Sequence, residues 1–175
     1  NETCRNISVT CLAPTKTFNL AGLQTAAVYA ENKALHHKMW RRLNTDEVAE
    51  PNAFAVCTTV AAFTYGEEWL DQLRQYIEGN KQYVTEYIVR EIPQIKVVKS
   101  EATYLMWLDI SALTTDSDAM YEFIRKDSGL YLASGREYGT NGDGFLRLNV
   151  ATNRANVEDG MHRLKKSVED FVRQR

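Results

Sequence analysis

Gly144-Phe145-Leu146-Arg147-Leu148-Asn149-Val150-Ala151 alternates apolar and polar positions and reads as a β-strand over residues 145–150. Working outward, the next segment changes period. Val157, Met161, Leu164, Val168 and Phe171 recur at helical spacing, so residues 156–173 are expected to form a helix with Asn156 as its cap. Upstream, strands are expected at 95–98 and 104–110, a helix at about 116–127 ended by Gly129, and a strand at 130–133. The resulting order, β-β-α-β-β-α, describes a compact α+β domain over residues 94–175.

Before it, Leu70, Leu73, Ile77, Val84 and Ile88 mark one stripe, broadened by Trp69, Tyr76, Tyr83 and Tyr87. Pro93 closes this segment, and residues 67–93 read as a long connecting helix. Residues 7–12 alternate with β-branching and read as a strand that Ala13-Pro14-Thr15 breaks. A second strand is expected at 25–30, and a helix at 33–43 with Leu35, Met39 and Leu43 in line. Pro51 opens a further helix over 53–63, apolar all round and therefore expected to be buried, with Gly66 ending it. Two strands and one buried helix make no stable layer by themselves. Residues 1–66 are accordingly read as the remnant of a larger domain, and the start at Asn1-Glu2-Thr3 as that of a processed or truncated product.

Composition excludes several classes. The 175 residues are 44% hydrophobic and 25% charged, as expected of a soluble globular protein. A net charge of −2 gives no reason to expect nucleic acid or an anionic membrane as partner. No apolar run approaches the ~20 residues of a membrane helix. Cys4, Cys11 and Cys57 are odd in number and lack CxxC spacing, which argues against zinc and disulfides and for buried free thiols in a reducing cytosol. Two glycosylation triplets, at Asn1 and Asn6, are too short a pattern to weigh. Adjacent His36 and His37 point in different directions on a helix and read as a solvated pair, not a metal site.

Lys16 stands out in Ala13-Pro14-Thr15-Lys16-Thr17-Phe18-Asn19-Leu20-Ala21-Gly22, where its neighbours are small, apolar or uncharged and no acid is near in sequence. A lysine in an apolar, water-poor site has a lowered pKa and becomes a usable amine for Schiff-base chemistry. Spacing alone leaves the plainer alternative, a solvated loop lysine. Arg147 is similarly open, since an exposed edge arginine is the default reading of a guanidinium on a strand.

The segment Ala13–Gly22, with Gln24-Thr25-Ala26 after it, resembles the cofactor-lysine motif of fold-type-I pyridoxal-phosphate enzymes, nearest to the class I/II aminotransferase-like cystathionine β-lyases. Three further segments resemble the same group in order. They are Ala55-Val56-Cys57-Thr58 through Ala62-Phe63-Thr64-Tyr65-Gly66-Glu67-Glu68-Trp69-Leu70, then Glu101-Ala102-Thr103-Tyr104-Leu105-Met106-Trp107-Leu108-Asp109, then Tyr138-Gly139 with Gly142 and Gly144–Ala151. The resemblance implies an α/β protein, the carboxy-terminal part of the fold-type-I architecture with an α+β small domain.

It also implies roles. Lys16 would carry pyridoxal 5'-phosphate and act as general base at the substrate Cα, Thr15 would contact the phosphate, and Arg147 would pair with the α-carboxylate of an amino-acid substrate. Many aminotransferases have an arginine eight residues after the lysine, and Gln24 stands there instead, as in the lyase subgroup. Trp107 and Tyr104 are candidates for shaping the site, against the alternative of plain core aromatics. Arg154 reads as a surface arginine at a helix start. The family is usually homodimeric and cytoplasmic. Its pyridine-nitrogen aspartate, ring-stacking aromatic and glycine-rich phosphate loop lie upstream of the lysine and are not found in the fifteen residues before Lys16. The expectation is therefore a C–S β-lyase, with an aminotransferase or a non-catalytic domain as alternatives, and a chain that is inactive alone.

Overall fold

The computed structural model describes residues 1–174. The chain divides into two compact units, Asn1–Leu73 and Arg74 onward.

In the first unit Asn1 accepts a hydrogen bond from the Cys4 N–H and caps α1 (Glu2–Ile7). Two short antiparallel strands follow, β1 (Thr10–Leu12) and β2 (Ala27–Tyr29), with Thr10 opposite Tyr29 and Leu12 opposite Ala27. The strand expected over 7–12 is thus shortened, because the asparagine cap draws Ile7 into a helix. Asn32 accepts from the N–H groups of Ala34 and Leu35 and starts α2 (Lys33–Thr45). Helix α3 (Ala55–Tyr65) ends at Gly66, whose N–H donates to the Ala62 carbonyl. The expectation that this helix is buried is corrected: only Ala55 is buried, and Val56, Val60 and Phe63 are each about 60% exposed. An all-round apolar helix needs neighbours on every side; in this unit Phe18 meets Phe63 edge-on at 5.3 Å, while the other large apolar side chains of α3 stay largely in water. The three cysteines are free, as expected, but exposed, not buried, since they lie on α1, β1 and α3, elements that bury almost nothing.

Helix α4 (Glu67–Glu91) begins in the first unit and continues into the second. Then come β3 (Lys96–Val97), β4 (Leu105–Asp109), α5 (Ser117–Ser128), β5 (Ala133–Ser134), β6 (Phe145–Asn149) and α6 (Arg154–Arg173). The strands form one antiparallel sheet in the order β3-β4-β6-β5. Along β4 and β6 burial alternates with the pleat, so Met106, Leu108, Leu146 and Leu148 face the core. There they join Val84 and Ile88 of α4, Met120 and Ile124 of α5, and Met161, Leu164 and Val168 of α6 in one cluster. Each such side chain contributes about 1.5–3 kcal/mol by leaving water. Within this unit α4, α5 and α6 therefore cover one face of the sheet, and the opposite face carries Trp107, Phe145 and Arg147.

Two expected boundaries shift. Pairing of β5 starts at Ala133, later than expected, although Leu132 is still buried. The cap of α6 is Asn153, not Asn156; Asn153 accepts from the Asn156 N–H, three residues on, where a cap's side chain finds an orphan donor. Gly129 ends α5 at φ 71, the left-handed conformation that favours glycine. Fully buried Asn80 donates to the carbonyls of Val150 and Thr152 at 3.0 Å, and so ties the turn after β6 to α4.

Helices α4 and α6 are also joined by charge. Glu91 accepts from Arg90 and from Lys165, both at 2.7 Å, and these partners hold its carboxyl at about 2 instead of 4.5. A carboxyl whose folded-state pKa is depressed stabilises the fold above its unfolded value and loses that contribution as pH falls through the folded value. The melting-temperature gap between the wild type and Glu91→Gln is therefore expected to be full at neutral pH and to close between about pH 4.5 and about pH 2. Thermal melts across that range test it; a gap that stays constant would remove this assignment.

Candidate functional site

The residues singled out by sequence fall on both units. In the first, β1 ends at Leu12 and the chain turns at buried Pro14. The turn is held by the Phe18 N–H donating to the Pro14 carbonyl and the Leu20 N–H donating to the Thr15 carbonyl, each at 2.9 Å. Asn19 adopts φ 54, which its short polar side chain tolerates. Phe18 packs on Phe63 and Trp69 and anchors the turn from below. Lys16 stands exposed on this turn, with Thr15 half-buried beside it. Among the described residues no carboxylate lies within ion-pair distance of Lys16. The water-poor surroundings expected of the lysine are not provided by this unit. Exposed Gln24 follows a short 3-10 turn (Ala21–Leu23), at φ 48.

In the second unit, the alternation of β6 sets Arg147 on the open face of the sheet, half-buried, with Leu146 and Leu148 beneath it in the core. Its neighbours across the sheet are Trp107 of β4 and Ala133 of β5. Tyr138 lies over it, with the guanidinium carbon 4.5 Å from the ring centroid. Trp107 meets the Tyr138 ring edge-on at 5.7 Å and stacks on Phe145 at 5.8 Å. Trp107 is thus on the face of Arg147, whereas Tyr104 packs against the core cluster.

Tyr138 ends a short 3-10 turn (Gly135–Tyr138) in a loop that is heavily tied down. Ser117 at the start of α5 donates to the Gly142 carbonyl and accepts from the Phe145 N–H. Gly135 and Gly142 touch backbone to backbone; a Cβ at Gly142 would stand 1.9 Å from the Gly135 oxygen, so no other residue fits there. Arg136 bridges Asp118 at 3.5 Å and Asp143 at 3.3 Å. The contrast with Arg147 is instructive. Among the described residues Arg147 has no carboxylate partner, so a half-buried positive charge faces outward with its aromatic neighbours, a setting that attracts an anion.

Sequence reading named Tyr138 and Gly142 within a motif but gave them no task, and it missed Ser117 and Arg136. Glycines at 135, 139, 142 and 144 were the available signal of a tight loop. Arg154 opens α6: its backbone N–H donates to Tyr76 Oη at 2.8 Å, and its guanidinium lies 4.8 Å over the Tyr83 ring, away from the open face described above. No group of His, Cys, Asp and Glu among the described residues could hold a metal. No described helix is long and apolar enough to cross a membrane.

A family model described as aminotransferase class I and II matches residues 6–164. The chain is 39% identical over 160 residues to cystathionine beta-lyase PatB of Bacillus subtilis, covering 91% of this chain and 41% of that protein. It is 30% identical over 147 residues to protein MalY of Escherichia coli, covering 83% of this chain and 38% of that one. Among solved structures, cystalysin from Treponema denticola, which contains a pyridoxal 5'-phosphate cofactor, matches with a TM-score of 0.92 and 26% identity, over 98% of this chain and 43% of that one. The chain therefore spans about two fifths of the length of these relatives.

Proposed function

The chain belongs to the class I and II aminotransferase family, and from that premise we propose that it bears the lysine and the arginine of a pyridoxal-phosphate-dependent C–S β-lyase acting on sulfur amino acids. The observation that carries the reading is the unneutralised Arg147 on the open sheet face, in a chain 39% identical to a cystathionine beta-lyase. The proposal is made for an enzyme of the relatives' length, homodimeric and cytoplasmic, in which these residues stand.

The residues present fit the cofactor. Lys16 offers a primary amine on a fixed turn with no carboxylate to hold it, as attachment to an aldehyde requires, and the Thr15 hydroxyl beside it suits a phosphate oxygen. When bound, the cofactor supplies an electron sink for the pair left at Cα. Arg147 would offer two parallel N–H donors to the substrate carboxylate and fix the orientation of that carboxylate. Lys16 Nζ would also be the base that takes the Cα proton. In β-elimination the Cβ–S bond then breaks and the thiol leaves, and water completes the conversion of the remainder to pyruvate and ammonia.

Transamination shares the first proton transfer, and the family description keeps it as the second reading. Gln24 in place of the arginine that many aminotransferases carry favours the lyase. L-Cystathionine supplied without any keto acid is expected to give pyruvate and ammonia in equal amounts. Turnover that requires a keto-acid acceptor and yields no pyruvate would reverse the choice.

A further inference from the structure

We propose that Tyr138 is a positioning residue for the carboxylate-binding arginine: its ring covers one face of the Arg147 guanidinium and leaves the N–H edge free for the substrate. This rests on the reading of Arg147 as the carboxylate partner. The ring faces the guanidinium carbon at 4.5 Å, within the range in which the ring quadrupole attracts a cation. Trp107 supports the ring edge-on from the neighbouring strand. The loop beneath cannot drift, because Ser117 pins both Gly142 and Phe145, and Arg136 is clamped between Asp118 and Asp143. The phenol oxygen reaches only Glu137, at 3.5 Å, the outer limit of a hydrogen bond, so the working part of Tyr138 is its ring.

The physical effect is preorganisation. A long flexible side chain on an open sheet face would otherwise sample many rotamers, and binding a carboxylate would cost that freedom. With the ring against it, the guanidinium is already restrained and partly shielded from water, and a carboxylate can meet it along two parallel N–H groups. A loop that merely packed its aromatic against the sheet would not tie ligand affinity to the identity of this ring.

The test is an NMR titration of the full 175-residue chain, following the Arg147 Nε–H signal and, in every form including Arg147→Lys, the indole N–H of the neighbouring Trp107, with L-alanine as the carboxylate probe and L-alaninamide as the control. Tyr138→Leu is expected to weaken L-alanine binding by roughly three- to tenfold, and Tyr138→Phe to leave it unchanged. Alaninamide is expected to bind none of the three forms. Unchanged Leu146 and Leu148 amide signals show that the sheet is intact in each variant. If Tyr138→Leu binds L-alanine like the wild type while Arg147→Lys does not, the positioning role is overturned and the carboxylate reading stands. Equal weakening by Tyr138→Leu and Tyr138→Phe also overturns it, because the hydroxyl would then be the active group. If neither the wild type nor Arg147→Lys responds to L-alanine, the carboxylate reading fails and takes this proposal with it.

Discussion

Lys16→Ala in the enzyme is expected to lower β-elimination from cystathionine by at least about a thousandfold, since in the proposed function one side chain supplies both the cofactor attachment and the base. Lys16→Arg is expected to be equally inactive, because a guanidinium neither gives up its proton near neutral pH nor attacks an aldehyde. The fold is expected to be indifferent. Lys16 is exposed on a turn held by backbone hydrogen bonds, so its loss changes stability by no more than about 0.5 kcal/mol. Activity, melting temperature and peptide mapping after borohydride reduction check the three parts together. A pyridoxyl label found on another lysine, with activity retained in Lys16→Ala, would end the assignment.

Arg147→Leu is expected to reduce kcat/KM by about a hundred- to a thousandfold, from the loss of the two proposed hydrogen bonds to the substrate carboxylate, worth about 1.5–3 kcal/mol each before compensation. Arg147→Lys keeps the charge but not the parallel pair of donors, and is expected to fall between that variant and the wild type, chiefly through KM. Stability moves the other way or not at all. The wild-type guanidinium is half-buried with no carboxylate partner among the described residues, so an apolar residue on this face costs nothing in ion pairing there. Steady-state kinetics beside thermal melts separate the two effects. A variant that loses stability and activity in proportion would mark Arg147 as structural.

Much of the second unit is legible from local pattern. The alternation in residues 145–149, the helical stripe from Val157 to Phe171 and the glycine after α5 all reappear in the structure. Misreadings came where a local contact or a missing neighbour overruled the pattern. Asn1 caps a helix that takes in Ile7, the first residue of an expected strand, and Asn153 took the capping task from Asn156. Helix α3 has the composition of a buried element and an exposed surface, and the cysteines likewise stand exposed. Composition reports what a segment prefers to touch; exposure depends on whether anything is there.

The candidate site divides along the same line. By sequence alone, Lys16 stands out against uncharged neighbours, Arg147 interrupts an apolar strand, and four ordered segments carry the family resemblance. Those are properties of residue order, because strand and helix periods are set by the backbone of a few consecutive residues. Tertiary structure alone decided that Arg147 lies on the sheet face opposite α4, α5 and α6, that Trp107 is its neighbour, and that Tyr138, nine residues earlier in the chain, folds its ring over the guanidinium. Which ring covers which charge depends on how a loop closes over a sheet. That closure is made by Ser117 and Asp118 reaching across from another helix, contacts that no period in the chain records.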